Sequence, residues 1–373
     1  MGRVFAAGML SPPEKYPSRT DSLNSCKLLF NNPIQSEAEG ILLRSRLQAA
    51  ARRMGFSDMH RENMVLVAAE MISNQIKYAG GRGMLQLWQQ PGPALDIVAL
   101  DFGPGITNLA QAQQDGYSSS KTLGKGLGSI RSLSHESGIF TVPEIAGANR
   151  NTPWHGCAFW SRFNPAHRSA SHSKNSQASH AKAPYTVGLF TRALSDDRYN
   201  GDRIYLEHSG KTLRWLHLDG LGHGEYAQQA TNDLADLLFL SPDVSQVINQ
   251  VDRQLKSTRG AVAMLSDLDM GLMQAQILGV GDMSAYVYSD DKFQTITFAP
   301  GILGKEHKTP HVTPLVLKKQ STLITASDGV RRGWNETSFP GLLKQHPQLI
   351  AYVLGNVMGR VSDDQSLCVV RVE

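Results

Sequence analysis

The sequence is short of cysteine, of long apolar runs and of net charge, and each shortage excludes a class of protein. The three cysteines, Cys26, Cys157 and Cys368, stand far apart in 373 residues, which excludes a CxxC metal site and argues against a disulfide framework. No apolar run is long enough to span a bilayer, and the N-terminal segment lacks the apolar core of a signal peptide. The formal net charge is only +4 and the basic residues form no run, which disfavours nucleic acid as a partner. We therefore expect a cytoplasmic protein that binds neither nucleic acid nor membrane.

Length and composition allow two ordinary globular domains. Hydrophobic residues make up 41% of the chain and charged residues 19%, which is typical of globular proteins. One segment is rich in Ser, Ala, His and Lys and almost free of large apolar side chains, so it cannot bury enough surface to fold. We therefore predict an N-terminal extension over 1–24, a first domain over 25–163, a flexible linker over 164–183 and a second domain over 184–373.

The first domain has the pattern of an α/β sandwich. After a strand, "CKLLFNN", apolar residues at helical spacing predict two helices, the second over "MHRENMVLVAAEMISNQIKYAG". Two strands follow around the turn "PGP", then a helix near 125–136 and a last strand, "GCAFWSRF". The second domain is richer in strands, with two helical stretches among them, which predicts layered α/β/β/α architecture.

Two polar patterns in the first domain are suited to a nucleotide. Glu70 and Asn74 lie four residues apart on the second predicted helix and therefore share one face. Asn74 offers a neutral oxygen to Mg²⁺, and Glu70 can take a proton from an attacking hydroxyl. Asp101 ends an apolar strand, where its carboxylate can accept a hydrogen bond from an adenine amino group. Gly103 and Gly105 behind it let the backbone pass close to a base or a ribose.

A third pattern, "LGKGLGS", opens the helix near 125–136. Gly124, Gly126 and Gly128 leave backbone N–H groups free for phosphates at a helix N-terminus. Lys125 can reach a phosphate or stand in solvent, and the sequence does not decide between these. Each of the three patterns alone is commonly an exposed helix face, a turn or an empty loop. Their order and spacing together predict a nucleotide site.

These patterns resemble the GHKL ATPases, specifically the RsbT-like anti-sigma-factor serine kinases. The run "AAEMISNQIKYAGG" is similar to their N box, and "DFGPGI" and "LGKGLGSIRSL" are similar to their G1 and G2 boxes. The resemblance implies a Bergerat-type α/β sandwich, bound ATP, Asn74 on Mg²⁺, Asp101 on adenine and Glu70 as catalytic base. It also implies that the domain phosphorylates Ser or Thr of a STAS-domain partner. The last strand departs from the family pattern because it lacks the usual Gly-Thr pair.

Four aspartates stand at predicted strand ends in the second domain: Asp202, Asp219, Asp328 and Asp363. An Asp-Gly pair alone is most often a turn. When several strands end in this way, however, their carboxylates can converge, and such a cluster must bind hard cations or suffer like-charge repulsion. Two divalent ions about 4 Å apart can share a bridging hydroxide that attacks a phosphorus atom.

The second domain resembles the SpoIIE/RsbX-like phosphatases, which are PPM-type serine/threonine phosphatases. The stretches "HLDGLGHG", "TRGAVA", "GVGD", "LITASDGV" and "DDQSL" carry the resemblance. It implies a PPM-type sandwich that binds two Mn²⁺ or Mg²⁺ ions, with Asp219 as the bridging catalytic residue. The implied ligands are Asp202, Asp219, the Gly220 carbonyl, Asp328 and Asp363, with Asp364 as the alternative to Asp363.

The roles of three further residues remain open. His223 can serve as a general acid or shape the loop before the following helix, and Asp282 can touch a third metal or end a turn. Arg203 is not securely equivalent to the phosphate-binding arginine of the eukaryotic phosphatases of this superfamily.

The two resemblances together predict a bifunctional switch protein in bacterial signalling. One domain is expected to phosphorylate a STAS-domain protein with Mg-ATP, and the other to hydrolyse a phosphoester of the same kind. The alternative is that the first domain only holds ATP and sequesters a STAS protein or a sigma factor, which leaves the phosphatase as the one enzyme. The oligomeric state does not follow from the sequence.

Overall fold

The structure is a computed structural model that describes residues 26–113, 126–144, 152–165 and 183–373. The predicted extension over 1–24 lies outside these ranges, as does all but the ends of the predicted linker over 164–183.

The first domain is one antiparallel sheet with helices on one face. Its five strands run in the order β1-β2-β3-β5-β4. The second helix, α2, begins after Ser57, whose side chain accepts a hydrogen bond from the His60 amide, and ends at Gly80 in a left-handed conformation with φ of 61°. The elements are β1 Lys27–Ile34, α1 Glu37–Arg53, α2 Asp58–Ala79, β2 Gly83–Gln89, β3 Leu95–Asp101, α3 Leu109–Ala112, α4 Gly126–Leu133, β4 Glu136–Val142 and β5 Gly156–Phe163.

The second domain contains two further five-stranded sheets, β13-β10-β9-β8-β7 and β12-β11-β14-β15-β6. Every pair of neighbouring strands in them is antiparallel. The elements are β6 Tyr185–Arg192, β7 Asp202–Ser209, β8 Thr212–Gly220, α5 Glu225–Thr231, α6 Val244–Leu255, β9 Ala261–Asp269, β10 Gln274–Val280, β11 Ser284–Ser289, β12 Lys292–Ile296, β13 Thr313–Val316, β14 Thr322–Ala326, α7 Pro347–Met358 and β15 Gln365–Val372.

The two sheets of the second domain pack face to face between helices. Apolar side chains of both sheets share one buried cluster, to which Trp215 of β8 and Val370 of β15 belong. A separate cluster joins the outer face of the β8 sheet to α6, through residues such as Val247 and Leu265. Helix α7 covers the outer face of the β15 sheet. The predicted α/β/β/α sandwich is therefore confirmed, as is the α/β class of the first domain.

Helix α7 is buried along nearly its whole length because a second sheet covers it. On β3 of the first domain, Ile97 and Ala99 belong to the cluster shared with α1 and α2, whereas Val98 and Leu100 belong to the cluster that contains α7. Both faces of the first sheet are therefore buried, one by its own helices and one by the second domain. The two domains share a core.

Polar contacts also cross this domain boundary. Arg162 of β5 forms a two-pronged ion pair with Asp96 of β3, with N···O distances of 2.8 and 2.7 Å. The Tyr352 hydroxyl of α7 donates to the same Asp96 carboxylate at 2.9 Å and accepts from Gln90 at 2.7 Å. Arg162 also donates to the Gln348 side chain of α7 at 3.1 Å. Because Asp96 and Tyr352 are fully buried, this network ties α7 to the first sheet in a medium of low dielectric constant.

Several elements differ from the sequence-based expectation. The helix predicted near 125–136 ends at Leu133, and the strand β4 follows it at once. The strands β12 and β13 and the helix α7 were not predicted either. Within the described ranges, no helix combines the length and the apolar character that crossing a bilayer requires.

Candidate functional site

The strand-end aspartates of the second domain meet at one end of its two packed sheets. Asp202, the first residue of β7, is the register partner of Asp219 near the end of β8. Asp328 follows β14 and Asp363 precedes β15, two neighbouring strands of the facing sheet. Asp219, Asp328 and Asp363 line a cavity of about 1040 Å³, together with Asp282.

The carboxylates of this group raise one another's pKa. Burial raises the pKa of Asp202 to about 7, and the neighbouring charges of Asp364 and Asp363 add to the increase, while hydrogen bonds from serine hydroxyls oppose it. The pKa of Asp219 lies well above its usual value, first because of burial and then because of Asp202, Asp328 and other nearby carboxylates. Such a group is stable at neutral pH only if protons or cations offset its charge.

The donor set fits divalent cations. All candidate side-chain ligands are carboxylates, which are the hard oxygen ligands that Mg²⁺ and Mn²⁺ prefer. Asp202 Oδ1 is buried without a hydrogen-bond partner, whereas its Oδ2 accepts a hydrogen bond from the Ser366 hydroxyl at 2.6 Å. In the described part of the chain no three His, Cys, Asp or Glu side chains lie close enough to hold a metal ion as they stand. A cation would therefore have to draw these carboxylates together.

Asp363 and Asp364 have different surroundings. Both carboxylate oxygens of Asp364 accept backbone N–H groups, from Leu194 and Gly201, at 2.7 Å each. Asp363 lines the cavity, and burial raises its pKa. The geometry leaves the Asp363 carboxylate available to a ligand and uses that of Asp364 to tie two loops to β15.

The loop after Asp219 is shaped by close backbone packing. A Cβ atom at Gly220 would stand 2.5 Å from the Ala227 carbonyl oxygen of α5, so no larger residue fits there. Gly222 and Gly224 have φ values of 82° and 81°, which glycine adopts without strain. His223 between them is exposed, and it lies near enough to Asp363 to lower the pKa of that carboxyl.

A buried histidine that the sequence analysis did not single out supports Asp202. His217 Nε2 lies 2.7 Å from Ser366 Oγ, and His217 Nδ1 lies 2.9 Å from Thr325 Oγ1. Because Ser366 donates its proton to Asp202, it accepts from Nε2–H, and Nδ1 accepts from Thr325. Burial lowers the pKa of His217 to about 3, so the ring is neutral. The strand alternation was a usable signal, since His217 precedes Asp219 by two residues and faces the same way.

Arg203 does not line the cavity, whereas Asp282 does. A guanidinium nitrogen of Arg203 donates to Asn232 Oδ1 at 2.6 Å. The arginine is therefore held by the residue that follows α5 and does not face the cavity. The charge of Asp282 raises the pKa of both Asp219 and Asp328.

In the first domain, Asp101 is held by the backbone around it. Its Oδ1 accepts N–H groups from Gly103 at 2.9 Å and from Cys157 at 3.1 Å, and burial raises its pKa. A Cβ atom at Gly103 would stand 2.8 Å from Ala79 Cβ, and one at Gly105 would stand 2.5 Å from the Val142 carbonyl oxygen. Both glycines therefore permit close approach of backbone to backbone.

In β5, the strand that lacks the usual Gly-Thr pair, Gly156 is followed by Cys157 and not by threonine. Burial, and then the charge of Asp101, raises the pKa of the Cys157 thiol to about 12, so the thiol is neutral. The hydroxyl that contacts this strand comes instead from Thr141 of β4, which donates to the Gly156 carbonyl at 2.9 Å. Thr141 had no recognisable sequence signal, because β4 was not predicted.

The other candidate nucleotide residues lie on α2 and α4. Glu70 and Asn74 are half-buried on α2, and α2 packs against α4. Gly126 begins α4 and Gly128 lies in its first turn. Gly124 and Lys125 of the predicted phosphate-binding loop lie outside the described residues.

Known proteins match both parts of this chain. The family model of the histidine kinase-like ATPase domain matches residues 36–144. The serine/threonine-protein kinase RsbT of Bacillus subtilis (strain 168) is 30% identical over 116 residues, which are 31% of this chain and 85% of the relative. The phosphoserine phosphatase RsbX of the same organism is 26% identical over 134 residues, which are 35% of this chain and 67% of the relative.

Among solved structures, a crystal structure of RsbX in complex with magnesium shares 19% identity, with a TM-score of 0.44 over 51% of this chain and 96% of the other. The chain belongs to the family of histidine kinase-like ATPases related to RsbT. It joins this ATPase domain to a second domain that is similar in sequence to RsbX.

Proposed function

We propose that this chain is a bifunctional switch protein, with a metal-dependent serine/threonine phosphoprotein phosphatase in its second domain and an ATP-dependent serine/threonine kinase in its first. The observation that carries the proposal is the cavity beside Asp219, where strand-end carboxylates meet and Asp202 Oδ1 lies buried without a partner. The relationship to RsbX and RsbT supports the two activities.

In the phosphatase site, Asp202, Asp219, Asp328, Asp363 and the Gly220 carbonyl would hold two Mn²⁺ or Mg²⁺ ions. The bound ions would offset the charge of the phosphoester and lower the pKa of water. Asp219 lies near the end of β8, lines the cavity and would hold the ions together with the other ligands. Neutral His217, through Ser366, fixes the orientation of Asp202, and the Asp364 carboxylate fixes the loops that carry the site.

In the kinase site, Asp101 would accept a hydrogen bond from the adenine amino group with the oxygen that its backbone partners leave free. Asn74 would hold Mg²⁺. Glu70, four residues earlier on the same face of α2, would take the proton of the attacking serine or threonine hydroxyl. Gly126 and Gly128 in the first turn of α4 would donate backbone N–H groups to the phosphates. Gly124 and Lys125 stay predicted members of the same loop and lie outside the described residues.

We take a STAS-domain protein as the substrate of both domains, because the resemblance to RsbT-like kinases implies such a partner. In the alternative in which the first domain only holds ATP, the protein that it sequesters is a STAS protein or a sigma factor. The supply of ATP and the free, buried state of all three cysteines fit the cytoplasm.

The phosphatase is tested on the full chain with p-nitrophenyl phosphate and a phosphoserine STAS protein. We expect turnover with Mn²⁺ or Mg²⁺, none after chelation, and loss of turnover in Asp219→Asn. The matched control is Asp236→Asn, because Asp236 is exposed and lies outside the cavity. Unchanged turnover in Asp219→Asn would contradict the proposed metal site.

The kinase is tested by transfer of labelled γ-phosphate from ATP to the STAS protein. We expect Glu70→Gln to bind ATP but to lose transfer, and Asn74→Ala to lose Mg²⁺-dependent binding. Glu62→Gln is the control, since Glu62 is an exposed residue of the same helix. If the unmodified chain binds ATP and partner but transfers no label, the first domain is a sequestering module and the phosphatase is the one enzyme.

A further inference from the structure

The cavity beside the acidic group extends along a wall of aromatic side chains. Tyr286, Phe293 and Trp334 pack together, with ring centroids 5.0 to 5.3 Å apart, and all three line the cavity. Trp334 is only 4% exposed, so its ring anchors the segment that follows Asp328 in the core. Arg332 and Asn335 of the same segment also line the cavity.

Arg332 is fixed at the sheet end where two of the acidic residues emerge. Its Nε donates a hydrogen bond to Ser284 Oγ at 2.9 Å. Ser284 is the first residue of β11 and pairs with Ala326, the last residue of β14. Asp282 stands two residues before Ser284, and Asp328 stands two residues after Ala326. The register therefore brings the guanidinium to the edge that carries both carboxylates.

The charge of Arg332 has no counter-charge in contact with it among the described residues. Of the described residues that line the cavity, it is the one basic side chain, and every other ionisable group there is an aspartate or a tyrosine. Within the described chain it forms no ion pair. The charges that act most strongly on Asp328 are those of Asp363, Asp282 and Arg360, not that of Arg332.

We propose that Arg332 is the positioning residue that binds the phosphoryl oxygens of the phosphoserine or phosphothreonine substrate and of the phosphate product. The inference rests on the proposed phosphatase function. A planar guanidinium offers two parallel N–H groups to two phosphate oxygens, which suits this task better than an ammonium group. The hydrogen bond to Ser284 involves only Nε of Arg332, so the two terminal nitrogens of the guanidinium remain available for the phosphate. Arg332 neither gives nor takes a proton in the hydrolysis.

The variants Arg332→Gln and Arg332→Lys test this role in the full chain loaded with Mn²⁺. Loss of a charge-assisted hydrogen bond predicts an inhibition constant for inorganic phosphate about 10- to 100-fold higher in Arg332→Gln, with a similar rise in KM for the phosphoserine protein. Arg332→Lys is expected to recover part of the loss because it keeps the charge. Arg253→Gln is the control, since Arg253 is exposed on α6 and lies outside the cavity.

Two further measurements separate positioning from damage to the fold. Thermal unfolding and the Mn²⁺ affinity of Arg332→Gln, measured by calorimetry, are expected to match those of Arg253→Gln. A raised KM with an unchanged inhibition constant for inorganic phosphate would overturn the proposal, because Arg332 would then contact another part of the partner. Unchanged values for both would overturn it too. If the unmodified chain hydrolyses no phosphoester, the proposed function fails instead.

Discussion

The ion pair between Asp96 and Arg162 is the polar centre of the contact between the two domains, and its loss should be costly. Asp96→Asn keeps the shape of the side chain but leaves the guanidinium of Arg162 without its counter-charge, on a side chain only 15% exposed. Removing one partner of a buried ion pair costs about 3–5 kcal/mol, because the remaining charge stays out of water. We expect the free energy of unfolding to fall by this amount.

An ion pair that is exposed on both sides provides the control. Asp290 pairs with Lys318, and the side chains of Asp290 and Lys318 are 58% and 65% exposed. Exposed pairs contribute about 0.2–1 kcal/mol, because water and salt screen the charges. Asp290→Asn makes the same chemical change as Asp96→Asn, and the difference between the two variants therefore measures the effect of burial.

The assay is urea unfolding of the full chain, followed by tryptophan fluorescence and by far-ultraviolet circular dichroism. We expect one joint transition in the unmodified chain because the domains share a core, and an earlier transition of the first domain in Asp96→Asn. Should Asp96→Asn fail to fold, Tyr352→Phe is the milder variant, with an expected cost of about 1–3 kcal/mol from the unpaired partners of the hydroxyl. A loss in Asp96→Asn no greater than that in Asp290→Asn would refute the reasoning.

Three other outcomes follow from the geometry. The pKa of Asp202 is raised from 3.8 to about 7, so the folded state holds this proton more tightly than the unfolded chain does. The stability of the metal-free protein, measured by thermal melts, should therefore fall as pH rises through this window. Saturating Mn²⁺ should abolish the fall. Gly105→Ala should lose ATP binding in calorimetry, because Gly105 has a φ of 70° and the new Cβ would stand 2.5 Å from the Val142 carbonyl oxygen. Gly92→Ala is the control, since Gly92 has a φ of 81° with open space around it. It should cost only about 1 kcal/mol of stability. His217→Ala should weaken Mn²⁺ binding about 10- to 100-fold in a titration, and an unchanged affinity would show that Asp202 needs no such support.

The sequence predicted those elements whose pattern is local. The strand "TLRWLHLDG" alternates and ends in Asp-Gly, and it became β8 with Asp219 at the predicted place. Helix α7 was missed because "PQLIAYVLGNVM" is apolar on every side and shows no helical period. Its environment explains the pattern, since sheets of both domains cover it. The strands β12 and β13 lie at sheet edges and are only five and four residues long, too short for a clear alternation.

The site was predictable in its residue types but not in its details. Acidic residues at strand ends identified the cavity that Asp219, Asp328 and Asp363 line. The choice between Asp363 and Asp364 depends on loops distant in sequence, because Leu194 and Gly201 occupy the Asp364 carboxylate. Arg332 has no sequence pattern of its own, and its place becomes visible only when β11 and β14 are paired.

The most direct test of the central claim is a label chase with the full chain, its STAS partner and γ-labelled Mg-ATP. Label should first appear on the partner and then, after Mn²⁺ is added and ATP is removed, be released as inorganic phosphate. Asp219→Asn should accumulate labelled partner without release, and Glu70→Gln should never label it. Release of the label by Asp219→Asn at the rate of the unmodified chain would contradict the account.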